Sequence, residues 1–207
     1  MTIKPGRHHG PHVALTFDAC SGAVDERILQ ALIQNRIKAT IFVTARWLKR
    51  NASAVTEINE HKDLFEVENH GARHVPAVDV PMLVFGLKAT GSSQAVAAEV
   101  MDGAAAAKQA TGLEPKWFRG AAGKYTSTSI KQINELHFRL AGYSLLGDGG
   151  AKFSKARTIT TISNARDGDV IIAHINQPKR PAGLGVVAGI LKLKEQGFVF
   201  LRLEDGA

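Results

Sequence analysis

Residues 13–22 read VALTFDACSG, and this stretch decides the fold. A run that is apolar at successive positions, and so on both faces of an extended chain, is a strand buried within a parallel sheet. Residues 13–17 form that strand, and Asp18 stands at its end. Val24, Ile28, Leu29, Leu32 and Ile33 then recur at helical spacing, so an amphipathic helix follows the strand. The unit is β then α.

The same alternation continues along the chain. Strands are expected at 40–44, 64–68, 117–118, 140–144, 170–174 and 198–203. Helices are expected at 53–60, at Ser93–Thr111 with Gly112 as its terminator, and near 127–136, 156–165 and 184–196. About seven strands, most followed by a helix, define an α/β protein with a parallel sheet covered by helices, open or closed into a barrel. The 207 residues are 44% hydrophobic, enough for one sizeable core. One domain over 13–207 is expected, after a flexible polar segment at 1–12 that carries His8, His9 and His12.

In such sheets, chemistry collects where strands end and loops begin. Asp18, His70, Arg119, Asp148 and His174 all fall at or just after strand ends. Any one of them taken alone also reads as a cap or a locally satisfied polar group. Five together on one edge define a candidate site.

Composition narrows the function less. Twenty-six Lys and Arg against 19 Asp and Glu give a net charge of +7. The basic residues are scattered and no nucleic-acid motif is present, so a solvated basic surface is the expectation. No apolar run is long enough for a membrane-spanning helix. Cys20, the single cysteine, excludes an internal disulfide. Residues 1–10 hold no apolar leader. The first strand begins almost at once, which fits a leader removed beforehand.

The candidate residues suit hydrolysis of an amide. His70 and His74 are four apart, a spacing that brings two imidazoles to one side of a helical turn to hold a divalent metal, zinc by preference. A metal with open positions polarises a carbonyl and acidifies bound water. Asp18 is the candidate base, with helix capping as the alternative. His174 titrates near neutrality and is the candidate acid for the departing amine. Asp148 is placed to orient His174, although its GDGG setting also reads as a turn.

Five segments together resemble the polysaccharide deacetylase family, also called the NodB homology or carbohydrate esterase 4 family. They are LTFDACSG (15–22), ENHGARH (68–74), TGLEPKWFRGAAG (111–123), GYSLLGD (142–148) and VIIAH (170–174). The resemblance implies a distorted (β/α)7-type barrel and removal of N-acetyl groups from an envelope polysaccharide, of peptidoglycan or chitin type, outside the cytoplasm. It also implies that Asp18 is the base, that Arg119 tethers it, that His174 is the acid and that the Ala122 N–H faces the oxyanion. Members with this fold also include amidohydrolases of small cyclic amides that use weak metal or none, and a non-catalytic glycan-binding relative is a third reading.

The sequence departs from the family in three places. The second Asp of the opening motif, usually a metal ligand, is Ala19. Asp18, Cys20 or Glu68 would have to replace it, or else an Asp introduced at 19 would tighten metal binding. The family's Pro-Pro-aromatic after Arg119 is Gly-Ala-Ala, and Tyr125 either supplies the missing cleft aromatic or packs on the following helix. Near Asp148, Phe153 is the local aromatic candidate. The stretch 75–92 is long for a connection, and it either covers the site or is a surface excursion.

Overall fold

The computed structural model describes residues 1–4 and 10–206. Its strands are β1 (His12–Ala19), β2 (Ala39–Val43), β3 (Phe65–Asn69), β4 (Leu83–Val84), β5 (Leu87–Lys88), β6 (Trp117–Phe118), β7 (Arg139–Leu140), β8 (Leu145–Leu146), β9 (Asp169–His174) and β10 (Val199–Leu201). Its helices are α1 (Glu26–Gln34), α2 (Ala45–Arg50), α3 (Ala52–Glu60), α4 (Ser93–Thr111), α5 (Ser127–Glu135), α6 (Lys155–Ser163), α7 (Ala182–Glu195) and α8 (Leu203–Gly206).

Seven parallel strands curl into a half-barrel in the order β7-β6-β3-β2-β1-β9-β8. The short β10 pairs with residues 12–14 of β1, on the edge that β2 takes over from Thr16 onward. Alternation along β1, between two packed faces, explains why residues 13–17 are apolar or small. Val13, Leu15, Phe17 and Ala19 face outward into a core shared with Ile28, Leu29, Leu32 and Trp47. Ala14 faces inward, where Phe42, Trp117, Ala141, Val170, Leu203 and Ile3 fill the barrel. Thr16 and Asp18 continue that inner face toward the C-terminal rim.

One expected strand is two. Of the stretch 140–144 only Leu140 is in a strand, at the end of β7, and β8 begins after it at Leu145, on the opposite edge of the sheet. The residues between them cross the gap in the barrel, with Ala141 N–H on the Phe118 carbonyl (3.0 Å) and Ser144 N–H on the Val170 carbonyl (3.0 Å). A continuous apolar run cannot reveal such a crossing, because its hydrogen bonds go to non-local partners.

The start of the chain also differs from the flexible segment expected at 1–12. Thr2 bridges to Asp169, Ile3 is 4% exposed beneath the barrel, and His12 already belongs to β1. Burying one Ile side chain is worth about 2 kcal/mol, which favours order over freedom for its neighbours. His8 and His9 lie outside the described residues.

The stretch 75–92 contains the β4–β5 hairpin. Its turn is Phe85-Gly86, both at positive φ (50° and 83°), as a tight two-residue hairpin requires. Met82, Leu83 and Phe85 stand exposed on it.

Candidate active site

Asp18 and His174 end neighbouring strands and are register partners in the sheet. Arg119 follows β6, and its backbone N–H bonds the Asn69 carbonyl of β3 (2.9 Å). It is 2% exposed and lies across the inside of the barrel. Its Nη1 donates to Asp18 Oδ1 (3.0 Å) and Thr16 Oγ1 (2.9 Å). Its Nε and Nη2 donate to the carbonyls of Ala141 (3.2 Å) and Gly142 (3.0 Å). The guanidinium also sits 4.2 Å above the Phe42 ring. One side chain therefore fixes the carboxylate and closes the gap between the edges of the sheet. Burial works to raise the Asp18 pKa, and the pull of His70, Arg119 and His174 reverses this, holding the carboxyl below its ordinary range.

His174 points its Nδ1 at Asp148, 3.0 Å from Oδ1 and 3.2 Å from Oδ2, which directs Nε2 away from Asp148. Asp148 is fully buried and also accepts the backbone N–H groups of His174 (2.7 Å) and Gly150 (3.0 Å). Asp148 thus both caps its own turn and pairs with His174. Burial lowers the His174 pKa, but the Asp148 hydrogen bond and charge and the Asp18 charge outweigh it, so the pKa is raised. Phe153 packs behind this turn beneath Arg157, 3.7 Å from guanidinium carbon to ring centre.

His70 and His74 converge, though by a different route from the helical turn expected. Residues 70–74 are irregular, with Gly71 and His74 in left-handed backbone (φ 88° and 63°) and the two rings 5.0 Å apart. Glu99, 1% exposed on α4, stabilises this strained conformation: its Oε1 accepts the N–H of Arg73 (2.9 Å) and of Val75 (3.1 Å). The first N–H groups of α2, from Ala45 and Arg46, hold the carbonyls of Gly71 and Ala72. Gly103 on α4 lies so close that an added Cβ would stand 2.6 Å from the Gly71 carbonyl carbon. Sequence reading does not single out Glu99 or Gly103. The only signal for Glu99 is an acid on the apolar stripe of an Ala-rich helix.

His70 Nδ1 donates to the Arg119 carbonyl (2.5 Å), which fixes the tautomer and leaves the Nε2 lone pair facing Cys20 Sγ, 3.6 Å away. Burial lowers the pKa of both histidines, that of His74 to about 4, which favours their neutral forms. Cys20 joins them: donor atoms of Cys20, His70 and His74 all lie within 4.8 Å of one another. Neutral imidazoles whose donor atoms converge in this way fit a divalent ion.

Glu68 is placed elsewhere, and Tyr125 braces the turn after Arg119. Glu68 sits one inward-facing position before His70, where its Oε2 accepts the N–H groups of Lys116 (2.8 Å) and Trp117 (2.7 Å). Burial raises its pKa to about 9, so it is a neutral acid that supports β6 and not a ligand. Tyr125 accepts the Gly120 N–H at its hydroxyl (2.7 Å) and packs edge-on against Phe118. Its main contribution is to brace the turn after Arg119. Ala122 is exposed on that turn with φ 64°, in the left-handed region.

Tyr125 also lines a groove of about 320 Å³ with Val78, Met82, Leu83, Phe85 and Thr126. A larger hollow of about 500 Å³ lies on the outer face beside Met101, Lys108, Leu136 and His137, away from the acid–base cluster.

A parallel half-barrel that gathers two buried carboxylates, a buried arginine and three imidazoles on its C-terminal rim defines an α/β-barrel protein with one candidate site at that rim. The family model for polysaccharide deacetylase matches residues 6–141, two thirds of the chain, and the protein belongs to this family. A bifunctional xylanase/deacetylase of Pseudobutyrivibrio xylanivorans is 22% identical over 93% of this chain and 30% of its own length. An uncharacterised Bacillus subtilis protein is 23% identical over 95% of this chain and 57% of its own. The chain thus spans a third to somewhat over half of these relatives. Among solved structures, a family 4 carbohydrate esterase of Streptomyces lividans superposes with a TM-score of 0.74 at 21% identity, covering 92% of each chain. A family 4 pseudoenzyme of Bacillus anthracis superposes at 0.76 with 22% identity, covering 97% of this chain and 66% of its own.

Proposed function

We propose that this protein is a metal-assisted hydrolase that removes N-acetyl groups from an envelope polysaccharide of peptidoglycan or chitin type, acting outside the cytoplasm. The observation that carries the reading is the split between two paired ionisable groups: Asp18, paired with Arg119, has its pKa lowered, and His174, paired with Asp148, has its pKa raised. Binding alone requires neither.

His70 and His74 would hold the metal, zinc in this reading. When bound, it would polarise the acetyl carbonyl and lower the pKa of water. Asp18 accepts a proton from the attacking water as its oxygen bonds to the carbonyl carbon. Arg119 keeps Asp18 aimed during this step. The Ala122 N–H faces the developing oxyanion. His174 delivers its Nε2 proton to the amide nitrogen, the C–N bond breaks, and acetate and a free amine leave. Asp148 holds the imidazole in the orientation and tautomer that this needs.

The groove beside the hairpin favours a polymer over a small cyclic amide. It lies between Met82, Leu83 and Phe85 and the segment that begins two residues after Ala122. Apolar and aromatic surface of this kind suits the flat faces of sugar rings. The reading is tested by acetate release from acetylated glycans, with small cyclic amides assayed in parallel. Acetate release that is lost in His174→Ala is expected. Ring opening of small amides without acetate release would overturn the reading, as would inactivity on both.

A further inference from the structure

The position where the family usually carries its carboxylate ligand is Ala19 here, and this residue is fully buried in the outer core, facing away from the histidines. The next residue, Cys20, faces them. It is held there by its own carbonyl, which accepts from Thr44 Oγ1, and by the Ala19 carbonyl, which accepts from Thr44 N–H. Its Sγ lies 3.6 Å from His70 Nε2. With bonds of about 2.3 Å to sulfur and 2.0–2.1 Å to nitrogen, a tetrahedral zinc ion separates a thiolate and an imidazole donor by about 3.6 Å. A thiol–imidazole hydrogen bond would give a similar distance. His74 distinguishes the two, because a hydrogen bond does not require a second imidazole nitrogen to converge on the same point.

We infer that Cys20 is the third protein ligand of the metal site, so that a His70–His74–Cys20 set replaces the family's carboxylate-containing one. The inference rests on the metal reading of His70 and His74 given above. Asp18 lies 3.6 Å from His70 but outside the three-donor cluster, which leaves it free to act as the base. A Cys and two His with an open fourth position match the ligand number of catalytic zinc sites. A soft thiolate also selects zinc over magnesium or calcium, which prefer oxygen ligands.

The test uses the reduced whole protein loaded with cobalt(II), whose spectrum reports its ligands without any assay of activity. A near-ultraviolet thiolate-to-cobalt charge-transfer band is expected in the wild type. It should be absent from Cys20→Ala and from Cys20→Asp, while Cys20→Asp retains the visible bands of a tetrahedral ion. Zinc affinity should fall about 100-fold or more in Cys20→Ala, since loss of even an indirect supporting contact costs about 10–100-fold. The wild-type spectrum is decisive even if a variant fails to fold. Cobalt bound without the charge-transfer band, with binding abolished in His70→Ala, would overturn the Cys20 ligand and leave the two-histidine site standing. Failure of the reduced wild type to bind cobalt or zinc would overturn both.

Discussion

Asp18 and His174 are register partners on adjacent parallel strands, so the two side chains stand next to each other on the inner face of the barrel. Each is then held by a different buried partner, Arg119 on one side and Asp148 on the other. Neighbouring strands supply proximity, and the surroundings shift the two pKa values in opposite directions. The predictions below follow from this arrangement and its surroundings.

His174→Ala should lower turnover by about a hundredfold or more, the usual scale for a lost general acid, without unfolding the protein. Steady-state acetate release together with circular dichroism checks this. A folded variant of unchanged turnover would remove His174 from the reaction.

The alkaline limb of the activity profile should move with Asp148. A general acid must be protonated, so activity falls as pH rises through the His174 pKa, which the Asp148 bond keeps above its ordinary 6.5. In Asp148→Asn the charge is gone and burial dominates, so the limb should shift to lower pH. The same pairing contributes stability that is fully present below the unfolded value and is lost as pH rises through the folded one. An unmoved limb would contradict the pairing.

Arg119→Met should destabilise the fold by about 3–5 kcal/mol, the range for removing one partner of a buried ion pair. The loss includes the two carbonyls of the crossing segment, at Ala141 and Gly142. Chemical denaturation measures it. A loss below about 1 kcal/mol would show that the barrel closes without this side chain.

Ala19→Asp, expected from sequence to tighten metal binding, should instead destabilise the protein. The side chain at 19 faces Leu15, Phe17 and their neighbours in the outer core, where an added carboxylate has no partner. Calorimetric titration with zinc should show unchanged or weaker binding. Tighter binding would mean that the strand end can turn to present residue 19 to the histidines.

Glu68→Gln should flatten the dependence of stability on pH. The folded protein keeps this carboxyl protonated up to about 9, against 4.5 for the free side chain. Between those values the unfolded chain binds fewer protons than the folded one, so rising pH removes stability over that window. Glutamine keeps a carbonyl for the Lys116 and Trp117 N–H groups and cannot ionise. Equal slopes for wild type and variant between pH 5 and pH 9 would refute the assignment.

The sequence by itself determined most of the strand-and-helix order, the parallel sheet and the strand ends on which Asp18, His70, Arg119 and His174 stand, but not α2, the β4–β5 hairpin or the break between β7 and β8. It could do so because hydrophobic periodicity and strand ends are local properties of the chain. Only the tertiary structure decided which neighbour each of these groups meets. The crossing at 141–144, the strained turn that Glu99 supports at His74, the retreat of Glu68 beneath β6 and the orientation of Cys20 and Ala19 to opposite sides all depend on contacts between residues far apart in sequence. At Ala19 and Cys20 the difference is one residue on a strand, which is enough to exchange the core face for the site face, because side chains alternate with period two.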